Sequence, residues 1–232
     1  MKKAIVTASI ALGFIVVGRA AELSVQPSKD ARIMGHSSEV NMNGGTSARL
    51  RATGIVKKDT EFIIMDFDRS ELKKFVDNNK DLAGKLLITI RDFPVGEDGV
   101  ELKMAAIDAA SEWNEGSGNQ VQAQKGESCA TAAKFDEQKW SLPNGKEVDS
   151  FRDLVWDGSN IKTKRNNNSL KVNKDDVGKE LEFSLDSEFI KHLATSEKCQ
   201  GLFIYHEDSK AKVDIFSREQ KNREPKLVLS TK

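Results

Sequence analysis

The chain is short of several residue types, and each shortage narrows what it can be. Its 232 residues include 2 cysteines and 4 prolines. So few cysteines exclude a small scaffold held by many disulfides, and they form no CxxC zinc motif. Aromatic side chains make up 6% of the chain, with 3 Trp and 1 Tyr. No sign of charge is in excess, because 36 Lys and Arg balance 36 Asp and Glu. Nucleic-acid binding needs a basic footprint that displaces counterions, so that class is set aside. Catalytic signatures are also missing. No GxSxG elbow, HExxH pair or glycine-rich phosphate loop occurs, and His36, His192 and His206 share no metal-ligand spacing. The chain therefore reads as a non-enzyme, and a lyase or hydrolase on a β scaffold is the least favoured reading.

Long apolar runs are scarce too, and the single one present is informative. Ala4 to Val17 is apolar apart from Thr7, Ser9 and Gly13, it follows Lys2 and Lys3, and it leads into Gly18-Arg19-Ala20. A basic start, an apolar middle and small residues at the cleavage positions describe a secretory signal over residues 1–20, cut after Ala20. The run is too short for a comfortable membrane span, although an uncleaved anchor is the alternative. The expected protein is thus secreted, extracellular or periplasmic, with no stable membrane insertion after cleavage. Residues 21–232 would form one domain, long enough to bury its own core, with a net charge of −3. In an oxidising compartment Cys129 and Cys199 are expected to form one disulfide. Closing that loop would stabilise the fold by roughly 4 kcal/mol. The alternative is two buried free thiols.

What is present is mostly strand pattern. Glu61–Asp68, Lys85–Asp92, Val100–Ile107, Leu181–Leu185, Gly201–Glu207 and Lys226–Ser230 carry the apolar residues expected of strands. Asp98-Gly99 suits a hairpin between two of them, and Asn43-Gly44-Gly45 is a turn. Two short helices fit as plugs. Ser70 can cap Glu71–Asp77, turning Leu72, Phe75 and Val76 inward, and Asp186 or Ser187 can cap a turn holding Phe189, Ile190 and Leu193. Ser111 to Asn173 is polar and reads as long loops, yet it holds all three tryptophans. The fold expected is all-β, a jelly-roll-like antiparallel sandwich with one or two short helices and long polar loops.

Candidate binding residues follow from chemistry. A sugar ring packs its C–H groups on an aromatic face, which makes Trp140, Trp156 and Tyr205 candidate platforms, with Trp113 more apt to be core. Arg49, Arg91 and Lys103 lie on strands with outward charge and would meet an acidic sugar. Acidic pairs such as Glu112 with Glu115 or Asp66 with Asp68 are better explained as solvated carboxylates than as catalytic ones. No cofactor is demanded, but a structural calcium ion would take oxygen ligands, with Asp30, Asn43, Asp68 and Glu219 as candidates.

Several of these residues also fall into a pattern. Asp30-Ala31-Arg32, the Asn41–Gly45 turn, Ala48-Arg-Leu-Arg-Ala52 and Asp66-Phe67-Asp68 open it. Ser111-Glu-Trp-Asn-Glu-Gly116, then Trp140, Gly145 and Asp149, then Phe183–Leu193, continue it. Ile215-Phe-Ser-Arg-Glu219 and Pro225-Lys-Leu-Val-Leu229 close it. In this order they resemble the DNRLRE domains, grouped with the family 96 carbohydrate-binding modules, over roughly Leu23 to Ser230. The resemblance implies a secreted jelly-roll-like sandwich that binds polysaccharide, alginate among them, or serves in cell-surface and matrix proteins. The expected function is a secreted, non-catalytic carbohydrate-binding module whose partner is a polysaccharide or cell-surface glycan. The alternative is a structural or adhesive matrix or envelope protein without a sugar site.

Overall fold

The computed structural model describes residues 21–56, 59–95, 99–208 and 210–231. The secretory signal expected at 1–20 lies outside them. In chain order the strands are β1 (Glu22–Val25), β2 (Lys29–Met34), β3 (Met42–Asn43), β4 (Arg49–Thr53), β5 (Glu61–Asp66), β6 (Leu82–Val95), β7 (Val100–Asp108) and β8 (Val121–Gln122). There follow β9 (Ala132–Lys134), β10 (Gln138–Lys139), β11 (Leu170–Val172), β12 (Glu180–Leu185), β13 (Cys199–Tyr205), β14 (Lys212–Phe216) and β15 (Lys226–Thr231). The helices are α1 (Arg69–Asn78), α2 (Phe151–Val155) and α3 (Ser187–Thr195).

Two antiparallel sheets make the sandwich expected from the strand pattern. One runs β1-β15-β6-β14-β4, with β12 also paired to β6; the other runs β11-β7-β13-β5-β2. Leu86, Ile88 and Ile90 of β6 and Leu50 and Ala52 of β4 face inward, where they meet Ile63, Met65, Leu102, Met104, Leu202 and Ile204 of the opposite sheet. The alternation along β4 and β6 leaves Arg49, Arg51 and Arg91 on the outer face. The connection after β6 is not the expected hairpin. β6 pairs only with β12, β14 and β15, whereas β7 pairs with β11 and β13, so the chain passes from one sheet to the other there.

The second sheet is buried on both faces. On its outer side Ile33, Phe62, Ile64, Ile107, Phe203 and Tyr205 pack against Trp113, Trp140, Phe151, Leu154 and Trp156. The polar stretch 111–173 is therefore a third layer and not a set of solvated loops. Its aromatic rings stack edge to face, Trp140 on Phe151 at 5.0 Å and Phe151 on Phe62 at 5.1 Å between centroids. A strand buried on both faces needs apolar residues at every position. That is why Phe62-Ile-Ile-Met65 and Leu202-Phe-Ile-Tyr205 run without alternation.

Both expected helices form, and they pack together at one end of the sandwich. Asp68, one turn earlier than Ser70, caps α1 by accepting the Ser70 and Glu71 N–H groups. Leu72 and Phe75 are buried beneath it. Asp186 caps α3 by accepting the Phe189 N–H at 2.8 Å. Helix α2, capped by Ser150, is the one that strand reasoning missed.

The expected disulfide is not there: Cys129 and Cys199 are both buried free thiols. They belong to different cores. Cys199 starts β13 and faces the space between the sheets. Cys129 sits in a small separate cluster with Ala123 and Ala132, under the third layer. Each thiol has its own oxygen partner, Gly201 O for Cys199 at 3.3 Å and Thr131 Oγ1 for Cys129 at 3.4 Å.

Candidate functional site

The expected aromatic platforms point the wrong way for stacking on a sugar. Trp140 is fully buried, Tyr205 is 1% exposed and Trp156 is 8% exposed. The indole N–H of Trp140 donates to the Cys129 carbonyl, and that of Trp113 to the Gln200 carbonyl. These rings anchor the third layer to the second sheet. Lys103 lies beside Tyr205 on adjacent strands of that sheet, where it pairs with Glu207 at 3.0 Å. Neither joins Arg49 and Arg91, which lie on the outer face of the other sheet.

The calcium set also fails to assemble. The oxygen of Asp68 is taken by the N–H groups of α1. Asn43 Oδ1 accepts from the Gly45 and Gly118 N–H groups, and its amide donates to the Glu115 and Ser128 carbonyls. Asp30 Oδ2 accepts the Arg218 N–H, and the Arg218 guanidinium grips Glu115 and lies 3.6 Å from Glu219. A guanidinium occupies the place where a cation would need acidic ligands. Asp30, Asn43, Glu115 and Arg218 form instead a buried latch between the first strands, the third layer and the Ser217-Arg-Glu219 turn. Burial pushes the Asp30 carboxyl up to about 7, against the opposing pull of the Arg218 N–H. Its Oδ1 is buried with no hydrogen-bond partner.

The outer face of the first sheet carries a different arrangement. Its register sets Phe216 of β14 opposite Arg49, and Asp214 opposite Arg51, on edge strand β4. The fully buried carboxylate of Asp214 takes two bonds from Arg51, 2.6 Å from Nε and 2.8 Å from Nη2. This fork-to-fork contact is the geometry guanidinium and carboxylate share best. It holds Arg51 above the usual arginine range. Arg49 approaches Asp214 only to 3.7 Å. On the other side, Asp214 pairs with Asp92 while Ile215 pairs with Ile90, so the pairing slips by one residue at Arg91. Such a bulge re-aims the extra side chain. The Arg91 guanidinium lies over the Phe216 ring, 5.6 Å from its centroid, and Arg223 lies over the same ring at 4.8 Å. Each such contact is worth about 0.5–1 kcal/mol at an exposed site.

Electrostatics confirms that the arginines gather. Burial lowers Arg49 first, then Arg51; Asp214 opposes them, and Arg32 and Arg91 add smaller repulsion. Arg32, from edge strand β2, donates through Nε to Glu61, while its buried Nη1 has no hydrogen-bond partner. It lines a 410 Å³ cleft together with Arg51, His36 and Lys212. Among the described residues, neither Arg91 nor Arg223 has a carboxylate within ion-pair distance. Guanidinium groups stay protonated at all relevant pH values, so this face offers fixed, unneutralised donors beside a half-exposed ring.

Sequence reasoning named Arg49 and Arg91 and missed Arg32, Arg51, Arg223 and Phe216. The alternation in Arg49-Leu-Arg-Ala52 was signal enough for Arg51. Phe216 and Arg223 meet Arg91 only through strand order, which local pattern does not carry. Compared with known proteins, the chain matches no family model and no curated protein sequence.

Proposed function

We propose that this protein is an exported, non-catalytic module that binds an acidic polysaccharide on the outer face of the first sheet. The observation that carries this reading is the Phe216 ring under Arg91 and Arg223, neither paired to a carboxylate, with Arg49 alongside. A uronic-acid polymer presents a carboxylate on each ring and C–H groups on its faces. Guanidinium forks match the carboxylates, and the exposed part of Phe216 suits the C–H face. The ordered resemblance to the DNRLRE domains supports the same class of ligand. Calcium has no part in this reading.

Affinity electrophoresis in gels containing alginate, polygalacturonate or neutral dextran tests it. Retardation by the acidic polymers and not by dextran is expected, with about a tenfold weaker affinity, or about 1.4 kcal/mol, for each of Arg91→Ala and Phe216→Ala. A protein that runs freely in every gel contradicts the reading.

A second reading, a structural or adhesive envelope protein, is favoured by one observation. All three tryptophans are used inside the fold, so no indole is left as a sugar platform. Uniform absence of glycan binding with the fold intact would favour it.

A further inference from the structure

At the end of the sandwich plugged by α1 and α3, three metal-ligating side chains from distant parts of the sequence converge. Asp108 ends β7, His192 lies in the last turn of α3, and Cys199 begins β13. One carboxylate oxygen, one imidazole nitrogen and the sulfur all lie within 4.8 Å of one another. It is the only such group of three or more among the described residues. The geometry points to a zinc-class metal site in which Asp108, His192 and Cys199 are three ligands and solvent supplies the fourth.

The donor set selects the ion. A thiolate, an imidazole and a carboxylate suit Zn²⁺, which is four-coordinate and accepts nitrogen, oxygen and sulfur together; calcium and magnesium take oxygen. Zinc bonds of about 2.0–2.3 Å place neighbouring ligand atoms roughly 3.2–3.8 Å apart, within the spread observed. His192 Nε2 and Asp108 Oδ1 are now 2.7 Å apart in a hydrogen bond, so they would part by under about 1 Å to admit the ion.

The surroundings fit a held ion. Asp108 uses its second oxygen, Oδ2, to accept the Lys164 N–H at 3.3 Å, which fixes the carboxylate from behind. The Cys199 side chain is fully buried, while those of His192 and Asp108 are 26% and 15% exposed, which leaves a path from solvent on the His192 side. His192 stands at the C-terminal end of α3, where the helix dipole favours a cation. The bulge at Gly201 sets the position of Cys199. Its φ of +111° and the Met65 carbonyl, which a Cβ would approach to 2.2 Å, admit only glycine there. Arg69, the nearby cation, is 3.5 Å from Asp66, which offsets its charge.

Binding proceeds with one proton released. The Cys199 Sγ–H proton leaves to solvent as the Sγ–Zn bond forms, Nε2 of a neutral imidazole gives its lone pair with the ring proton on Nδ1, and Asp108 binds as the carboxylate. Burial raises the free thiol to about 12, so affinity should climb with pH.

The test is Co²⁺ titration of the whole protein, followed by displacement with Zn²⁺. One equivalent of Co²⁺ should give a thiolate-to-cobalt charge-transfer band in the near ultraviolet that one equivalent of Zn²⁺ erases, and Zn²⁺ alone should raise the melting temperature. Cys129→Ala should keep the band. Cys199→Ser should lose it while keeping the native circular dichroism, and His192→Gln, on the exposed side, should weaken binding at least tenfold. The site is refuted by wild-type protein that gives no band, by a band that survives Cys199→Ser, or by one that vanishes with Cys129→Ala. Should Cys199→Ser fail to fold, unchanged affinity in His192→Gln refutes it equally.

Discussion

At the residue scale, Asp30 is the most sharply tuned group in the latch. Its carboxyl is raised to about 7 by burial, against a model value of 3.8. Below pH ~4 it is protonated both folded and unfolded, and it then contributes no pH dependence. Between ~4 and ~7 the unfolded chain has ionised while the folded one still holds the proton. Rising pH therefore favours unfolding across this window, by an amount on the order of 4 kcal/mol in all, and has no further effect through this group above it. Asp30→Asn should flatten that slope. Urea midpoints of both proteins at several pH values between 4 and 8 measure the difference, and parallel curves would show that Asp30 titrates normally. Phe216 belongs to the same scale. It lies on the sheet's outer face, outside the clusters of the buried core, so Phe216→Ala should leave the melting temperature nearly unchanged while reducing polysaccharide affinity. A large drop in melting temperature would make it a packing residue.

At the element scale, β13 bears the most constraint. It pairs with β5 and β7 on its two sides, contributes to the cores on both faces, and bulges at Gly201. Gly201→Ala would combine a positive φ with a Cβ 2.2 Å from the Met65 carbonyl oxygen. A loss of about 2 kcal/mol or more is expected, seen as a lower denaturation midpoint; a neutral result would mean the bulge relaxes. Helix α3 should lose about 1 kcal/mol with Asp186→Ala, because the Phe189 N–H loses its cap. Much at this scale was legible in the sequence. Alternation located β6 and β7, the spacing of Leu72 and Phe75 located α1, and Asp186 marked the start of α3. The third layer was not legible. Its polar residues outnumber the buried ones, and what they cover is set by strand order, a long-range property. The unalternated runs at Phe62–Met65 and Leu202–Tyr205 held the missed signal, since a sheet with one solvated face would not keep them. The hairpin expected at Asp98-Gly99 failed for the same reason. Turn chemistry reports a local reversal and not which sheet the next strand joins.

At the scale of the whole molecule, the fold holds together without a covalent bridge. Its two thiols lie in separate cores, so reductant should leave the melting temperature unchanged. A thiol reagent should find two reactive groups after denaturation without reductant, and a count of zero would restore the disulfide. The candidate site also depends on the whole. Strand order brings Arg49, Arg91 and Phe216 to one face, while Tyr205 and Lys103 go to the other sheet and Trp140 goes inside. Titration of isotope-labelled protein with a short oligouronate, read by nuclear magnetic resonance, tests this division most directly. The account predicts shifts at the Arg49, Arg91 and Arg223 Nε–H groups and the Phe216 ring, with the Trp140 and Trp156 indoles unmoved. Shifts confined to Tyr205 and Lys103, or none at saturating ligand, would contradict it.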